Sequence, residues 1–252
     1  MTGAAITLVG VVKRHAGRVA LGPVDLELAA GCTTALIGPS GCGKSTLLRL
    51  LVGLITPDDG TVAIGDTPVR ADTIAMLRKR IGYVIQDGGL FPHLTARQNV
   101  ALPARDRPAD AIAARIAELV ELTRFPKDAL DRPPGSLSGG QRQRVAMMRA
   151  LILDPDVVLL DEPMAELDPM IRAELQTDLK AAFAALKKTV VLVTHDIGEA
   201  GYLAERIALL RAGRVVQAGP LEELFRAPAD PFVTEFVRAQ SYRLPLPEGG
   251  LP

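Results

Sequence analysis

The chain has 252 residues, 48% of them hydrophobic, enough to bury a full core within one domain. Its 29 basic and 29 acidic residues cancel and only 4% are aromatic, so it offers neither the basic surface nor the stacking platforms of a nucleic-acid binder. Cys32 and Cys42 are too few for a disulfide framework, and MTGAAITLVG at the start lacks the layout of a signal peptide. No run approaches the ~18 apolar residues that cross a bilayer, so a soluble cytoplasmic chain is expected.

Alternating or β-rich runs predict strands at Ile6–Val12, Val24–Leu28 and Thr33–Ile37. The third runs into GPSGCGKS at 38–45, and Lys44–Leu51 then reads as a helix. That strand–loop–helix order is the setting of a phosphate-binding loop. The loop comprises Gly38, Pro39, Ser40, Gly41, Cys42, Gly43, Lys44 and Ser45 and passes into Thr46. Its backbone N–H groups and the helix N-terminus suit the phosphates of a nucleotide. Lys44 reaches the β- and γ-phosphates, and the Ser45 hydroxyl is placed to hold Mg²⁺. Cys42, just before a helix N-terminus and Lys44, is expected to be the reactive thiol and Cys32 the slow one.

Further strands are expected at Thr61–Ile64 and Ile81–Ile85, and helical spacing runs over 109–122. The Pro-rich DRPPGS at 131–136 breaks the chain before a helix at Gln141–Ile152, so 87–152 reads as a helical insert in a nucleotide-binding core. Val157–Leu160 is a continuous apolar run of the buried parallel kind. A helix at Pro169–Leu186 leads to a strand at Val190–Thr194, and this alternation predicts a parallel sheet. Strands at Arg206–Arg211 and Arg214–Ala218 flank Gly213, followed by helices at Leu221–Arg226 and Pro231–Ala239. The Pro/Gly-rich end, 241–252, reads as a disordered tail.

Two further motifs follow the loop: LSGGQ at 137–141 and VVLLDEP at 157–163. Asp161 ends a buried strand, where a carboxylate can meet Mg²⁺, and Glu162 points the other way. Ser138, Gly139 and Gly140 precede a helix at Gln141, a second N-terminus that offers N–H groups to an anion. All three motifs, in this order, resemble those of the ATP-binding cassette (ABC) ATPases over nearly the whole chain. The resemblance implies an α/β fold: a P-loop NTPase core with a mostly parallel sheet, an antiparallel β subdomain and a helical subdomain carrying the signature motif. It also implies one domain over 1–240, with the core in 1–86 and 153–240 and the helical part in 87–152.

By the same resemblance the cofactors are ATP and Mg²⁺, and Glu162 is the general base. Gln86 contacts Mg²⁺ and the attacking water, His195 hydrogen-bonds the γ-phosphate, and His15 stands where an aromatic usually stacks on adenine. Ser138, Gly139, Gly140 and Gln141 close over the ATP of an opposite subunit, in a head-to-tail homodimer or pseudo-dimer. Ala165, Glu166 and Asp87 depart from the family pattern, whereas Asp168 keeps to it. GGLFPHLTARQNV at 88–100 is similar to the segment with which importer motors grip a membrane subunit, which puts permease docking near Phe91–Thr95. Phe91 packed inside the insert is the other reading. IGYVIQ, LFPHLT, VTHDIGEA and LEELFRAPADPFVTEFV are most similar to the osmoprotectant branch, which takes up glycine betaine, choline and related quaternary amines. A motor peripheral on the inner face of the membrane, working with permease subunits and an extracytoplasmic solute-binding protein, is therefore expected. A motor for another solute or lipid, or a non-transport ABC ATPase, is the alternative.

Overall fold

The structure is a computed structural model and describes residues 3–241; most of the expected tail lies outside them. Two sheets form its framework. The smaller is antiparallel, in the order β2(Arg18–Leu28), β1(Ile6–His15), β4(Asp59–Ile64), β5(Thr67–Pro68). The larger has six strands, in the order β10(Arg214–Gly219), β9(Arg206–Arg211), β3(Thr33–Ile37), β8(Thr189–Val193), β7(Val157–Asp161), β6(Ile81–Val84). All its pairings are parallel except β9 with β10. This is the mostly parallel α/β core with an antiparallel β portion that the motifs implied.

β1 and β2 outrun the expectation. They meet in a tight turn at Ala16 and Gly17, both with positive φ (47° and 78°), of the kind that matches the twist of paired strands. Ala16 is a weak turn signal, and Gly22-Pro23 within β2 reads as a strand end; shifts in the β1–β2 register absorb the interruption. Every residue of β3 is buried. α1(Lys44–Leu51) lies against this framework, with Leu47, Leu48, Leu50 and Leu51 buried. Each such side chain contributes about 2 kcal/mol on leaving water.

Short α2(Ile74–Leu77) precedes β6. Between β6 and β7 stand α3(Ala96–Ala101), α4(Ala109–Thr123) and α5(Gly139–Leu151). α3 escaped the sequence reading, although Thr95 and Gln98 form a capping box at its start. α5 begins two residues earlier than expected. Ser138 caps it and exchanges hydrogen bonds with Gln141, so Gly139 and Gly140 form the first turn instead of preceding the helix. α6(Pro169–Leu186) packs on α5 through a buried ion pair, Arg144 to Asp178 at 2.7 Å. α7(Ile197–Leu203), α8(Leu221–Arg226) and α9(Pro231–Ser241) cover the other face of β3 and β9.

Gly82 in β6 is where α5 meets the sheet, and a Cβ there would run into the Ala150 carbonyl. Gly82→Ala should therefore overpack this seam at a cost of about 1–3 kcal/mol. A lower urea midpoint with an unchanged slope is the expected reading; an unchanged midpoint would mean that β6 and α5 can separate without loss.

Candidate active site

Four parallel strands end on one edge of the larger sheet, and each passes into a segment singled out in the sequence. β3 leads to loop 38–43, β8 to Thr194 and His195, β7 to Asp161 and Glu162, and β6 to Gln86. Ligands of open α/β sheets bind in this crevice, beyond the carboxyl ends of the strands.

The phosphate loop is wedged between the β9–β10 turn and strand β2. The Cys42 carbonyl accepts the Gly213 N–H at 3.0 Å, and a Cβ on Gly43 would lie 2.9 Å from Leu21 Cδ1. Gly43 is the N-cap of α1 with φ 110°, a conformation that other residues avoid. Gly41 faces open space. A cavity of about 230 Å³ results, lined by Ala20, Ser40, Gly41, Gly43, Lys44, Ser45, Thr46 and Glu162. A helix N-terminus and a lysine on its wall fit an anionic phosphate chain. Lys44 is itself buried, and its Nζ donates to the carbonyls of Gly38 (2.8 Å) and Pro39 (3.2 Å).

Cys42 is not the exposed, reactive thiol expected from its place in the loop. It is 4% exposed, and its sulfur fills the space left by the missing Cβ of Gly38, whose position would be 2.8 Å away. Cys32 is the half-exposed one. Burial and the neighbouring Glu205 carboxylate push its thiol up, away from the reactive thiolate.

Asp161 is half-buried and accepts hydrogen bonds from the Ser45 hydroxyl and the Tyr83 phenol. Burial, then the charge of Glu162, raises its carboxyl above the usual range, against the pull of Arg49, Ser45 and Lys44. Burial and Asp161 in turn push Tyr83 up to about 12. A hydroxyl and a carboxylate oxygen side by side form a hard donor set that fits Mg²⁺, which completes its shell with waters and phosphates.

Glu162 has φ 45°, rare for a residue with a side chain, and its N–H is held by the Val193 carbonyl at 3.0 Å. This turns it away from Asp161 and toward His195, whose Nδ1 lies 3.3 Å from Oε2. Glu162 also borders a second cavity of about 10 Å³, shared with Arg172, Thr194, His195, Asp196 and Glu199. His15 lies exposed at the tip of the β1–β2 hairpin, Gln86 is exposed in its turn, and residues 138–141 cap α5. None of these lines the loop cavity, to which the hairpin contributes Ala20.

A family model described as "ABC transporter" matches residues 21–165. The chain belongs to the ABC transporter family. It is 43% identical to the glycine betaine/carnitine/choline transport ATP-binding protein of Bacillus subtilis, over 88% of this chain and 59% of that protein. It is 44% identical to the sulfate/thiosulfate import ATP-binding protein of Thermosynechococcus vestitus, over 92% of this chain and 69% of that one. The chain thus spans about three fifths of the length of its osmoprotectant relatives. The dimeric structure of an ATP-binding cassette in a post-hydrolysis state, bound to ADP and Pi, superposes with a TM-score of 0.77 at 34% identity, over 86% of this chain and 98% of that one.

Two polar residues of this ABC fold escaped the sequence reading. Asn99, fully buried in α3, accepts the Phe91 N–H at 2.8 Å and donates to the carbonyls of Phe91, Leu94 and Thr95, so it organises the loop over 91–95. Glu199, 7% exposed, accepts the Thr194 hydroxyl, and burial pushes its carboxyl up to about 7. In the sequence Glu199 stands only as one acidic residue of VTHDIGEA.

With a usual value of 4.5, Glu199 holds a proton in the folded state that the unfolded chain has released. Its penalty on folding is absent below that value, grows as pH rises to about 7, and is complete above it. Glu199→Gln should match the parent in urea stability at pH 4.5 and exceed it by about 3 kcal/mol at pH 8. A gain of equal size at both pH values would mean that ionisation is not its cause.

Proposed function

We propose that the chain is the ATP-hydrolysing motor of an importer for quaternary amines of the glycine betaine and choline type. It would work as a head-to-tail homodimer beneath permease subunits at the inner face of the membrane. The observation that carries the ATPase reading is the convergence of Lys44, Asp161, Glu162 and His195 at the carboxyl ends of adjacent parallel strands. Loop 38–46 holds the phosphates, with Lys44 exchanging its bonds to the loop carbonyls for bonds to the γ-phosphate. Glu162 takes a proton from water as the water oxygen bonds to the γ-phosphorus. The bond to the β–γ bridging oxygen breaks, and ADP and phosphate leave. His195, beside Glu162, hydrogen-bonds the γ-phosphate and keeps the carboxylate aimed at the water. Bound Mg²⁺ would neutralise phosphate charge, held by Ser45 and Asp161 with Gln86 nearby. His15, at the hairpin tip, would meet the adenine.

The dimer reading is supported by LSGGQ not lining its own chain's loop cavity, together with the dimeric cassette that this fold resembles. Ser138, Gly139, Gly140 and Gln141 then complete the partner's site. The glycine betaine/carnitine/choline relative supports the solute. A sulfate/thiosulfate relative is equally similar, because a motor does not touch its cargo. The segments LFPHLT and VTHDIGEA are what favour the quaternary amines. No helix among the described residues is long and apolar enough to cross a membrane, so docking on separate permeases fits.

Glu162→Gln should bind MgATP like the parent and hydrolyse it at least ~10²-fold more slowly, the usual loss on removing a general base. Single-turnover assays measure this, and undiminished turnover would remove Glu162 from the role.

Phe91 is 44% exposed on a loop held by Asn99, so it is free to dock. Phe91→Ala should keep the ATPase of the isolated chain within a few-fold, release the chain from the membrane fraction and abolish choline uptake. Uptake that survives would place docking elsewhere. Uptake of sulfate but not of choline by the parent would overturn the solute alone.

A further inference from the structure

Arg149 lies in the last turn of α5, half-buried, with no carboxylate in ion-pair range among the described residues. Its guanidinium instead donates Nη1 to the Gly89 carbonyl at 2.7 Å and Nη2 to the Gly88 carbonyl at 2.6 Å. Burial without a counter-ion pushes the group's pKa down and is a cost that an apolar residue would avoid. An arginine near a helix C-terminus ordinarily caps its own helix's carbonyls. This one reaches across to another segment.

The segment it reaches is the turn that carries Gln86. Gly88 and Gly89 both have positive φ (67° and 56°), which turns two successive carbonyls toward one fork of donors. The turn also rests on α5 without Arg149's help: a Cβ on Gly88 would lie 3.3 Å from Gln143 Oε1 and 3.5 Å from Ala146 Cβ. At the other end of α5, about 17 Å away at 1.5 Å per residue, stands Ser138. One rigid helix therefore bears the signature residues at its start and the turn of Gln86 at its end.

We propose that Arg149 is a positioning residue that locks the turn of Gln86 onto the signature helix, so that Gln86 and Ser138 enter and leave their sites as one body. A flexible turn would let Gln86 find Mg²⁺ and water whether or not the signature helix was engaged. The lock makes the two arrivals simultaneous, and it reaches onward to Phe91, two residues past Gly89. The inference rests on the role given to Gln86 above.

A double-mutant cycle on the steady-state ATPase of the full chain tests it. Gln86→Ala should lower kcat about tenfold or more. Arg149→Gln should lower kcat about tenfold with KM for ATP within about twofold, and should have no further effect in the Gln86→Ala background. Arg149→Lys, which keeps the cation and can reach one carbonyl, should give an intermediate kcat. Independent, multiplying effects of Arg149 and Gln86 would overturn the lock while leaving the reading of Gln86 intact. A parental kcat in Gln86→Ala would overturn that reading, and the lock with it. If both Arg149 variants lose the circular-dichroism signal of the folded chain, Arg149 is a structural element and the positioning role falls.

Discussion

The parallel hydrogen-bonded ladder β6–β7–β8–β3 is the constraint from which the rest follows. Parallel pairing requires each strand to be followed by a crossover on a face of the sheet, so the carboxyl ends all gather on one edge. Lys44, Asp161, Glu162 and His195 come from three separate stretches of the sequence and become neighbours only because their strands are. Apolar β7 and β8, buried along nearly all their length, set that register against competing slips. The antiparallel sheet and the β9–β10 turn then act as clamps, fixing the phosphate loop through Gly43, Gly213 and Ala20.

Much of this was legible because the signals were local. The glycines and lysine of the loop and the unbroken apolar strands announce their own geometry. What stayed hidden depends on distant partners. The β1–β2 hairpin turns on Ala16, which only strand pairing holds in a left-handed conformation. Cys42 looked activated from its neighbours in sequence, but the gap above Gly38 draws its sulfur inward. Glu199 and Asn99 are ordinary helical residues until burial makes one a high-pKa acid and the other the organiser of a loop. The sharpest local misreading was the start of α5, where two glycines suggested a turn. The capping box carries them into the helix instead.

The helices between β6 and β7 are joined to the core by a few polar contacts placed over an apolar interface. Arg144 and Asp178 link α5 to α6, and Arg149 links α5 to the turn after β6. Hydrophobic packing is nearly indifferent to small sliding motions, whereas these directional bonds hold one arrangement. The insert is thereby tied at two points along a single helix, which favours pivoting as a unit over internal bending.

Lys44 illustrates what such internal bonding does to recognition. Its ammonium sits on the carbonyls of Gly38 and Pro39, the place from which it would serve a phosphate. The loop therefore carries its own stand-in acceptors, and anion capture becomes an exchange of neutral carbonyl partners for charged phosphate oxygens. Such an exchange weakens the grip on any single phosphate, because bonds must be surrendered to make new ones. In return the cradle keeps its shape between turnovers, and the ordering entropy is already spent when the nucleotide arrives. An anion that can recruit only the lysine regains little, whereas one that also reaches the loop amides and Ser45 regains much more. Discrimination in favour of a chain of phosphates over lone inorganic anions thus follows from where one ammonium rests.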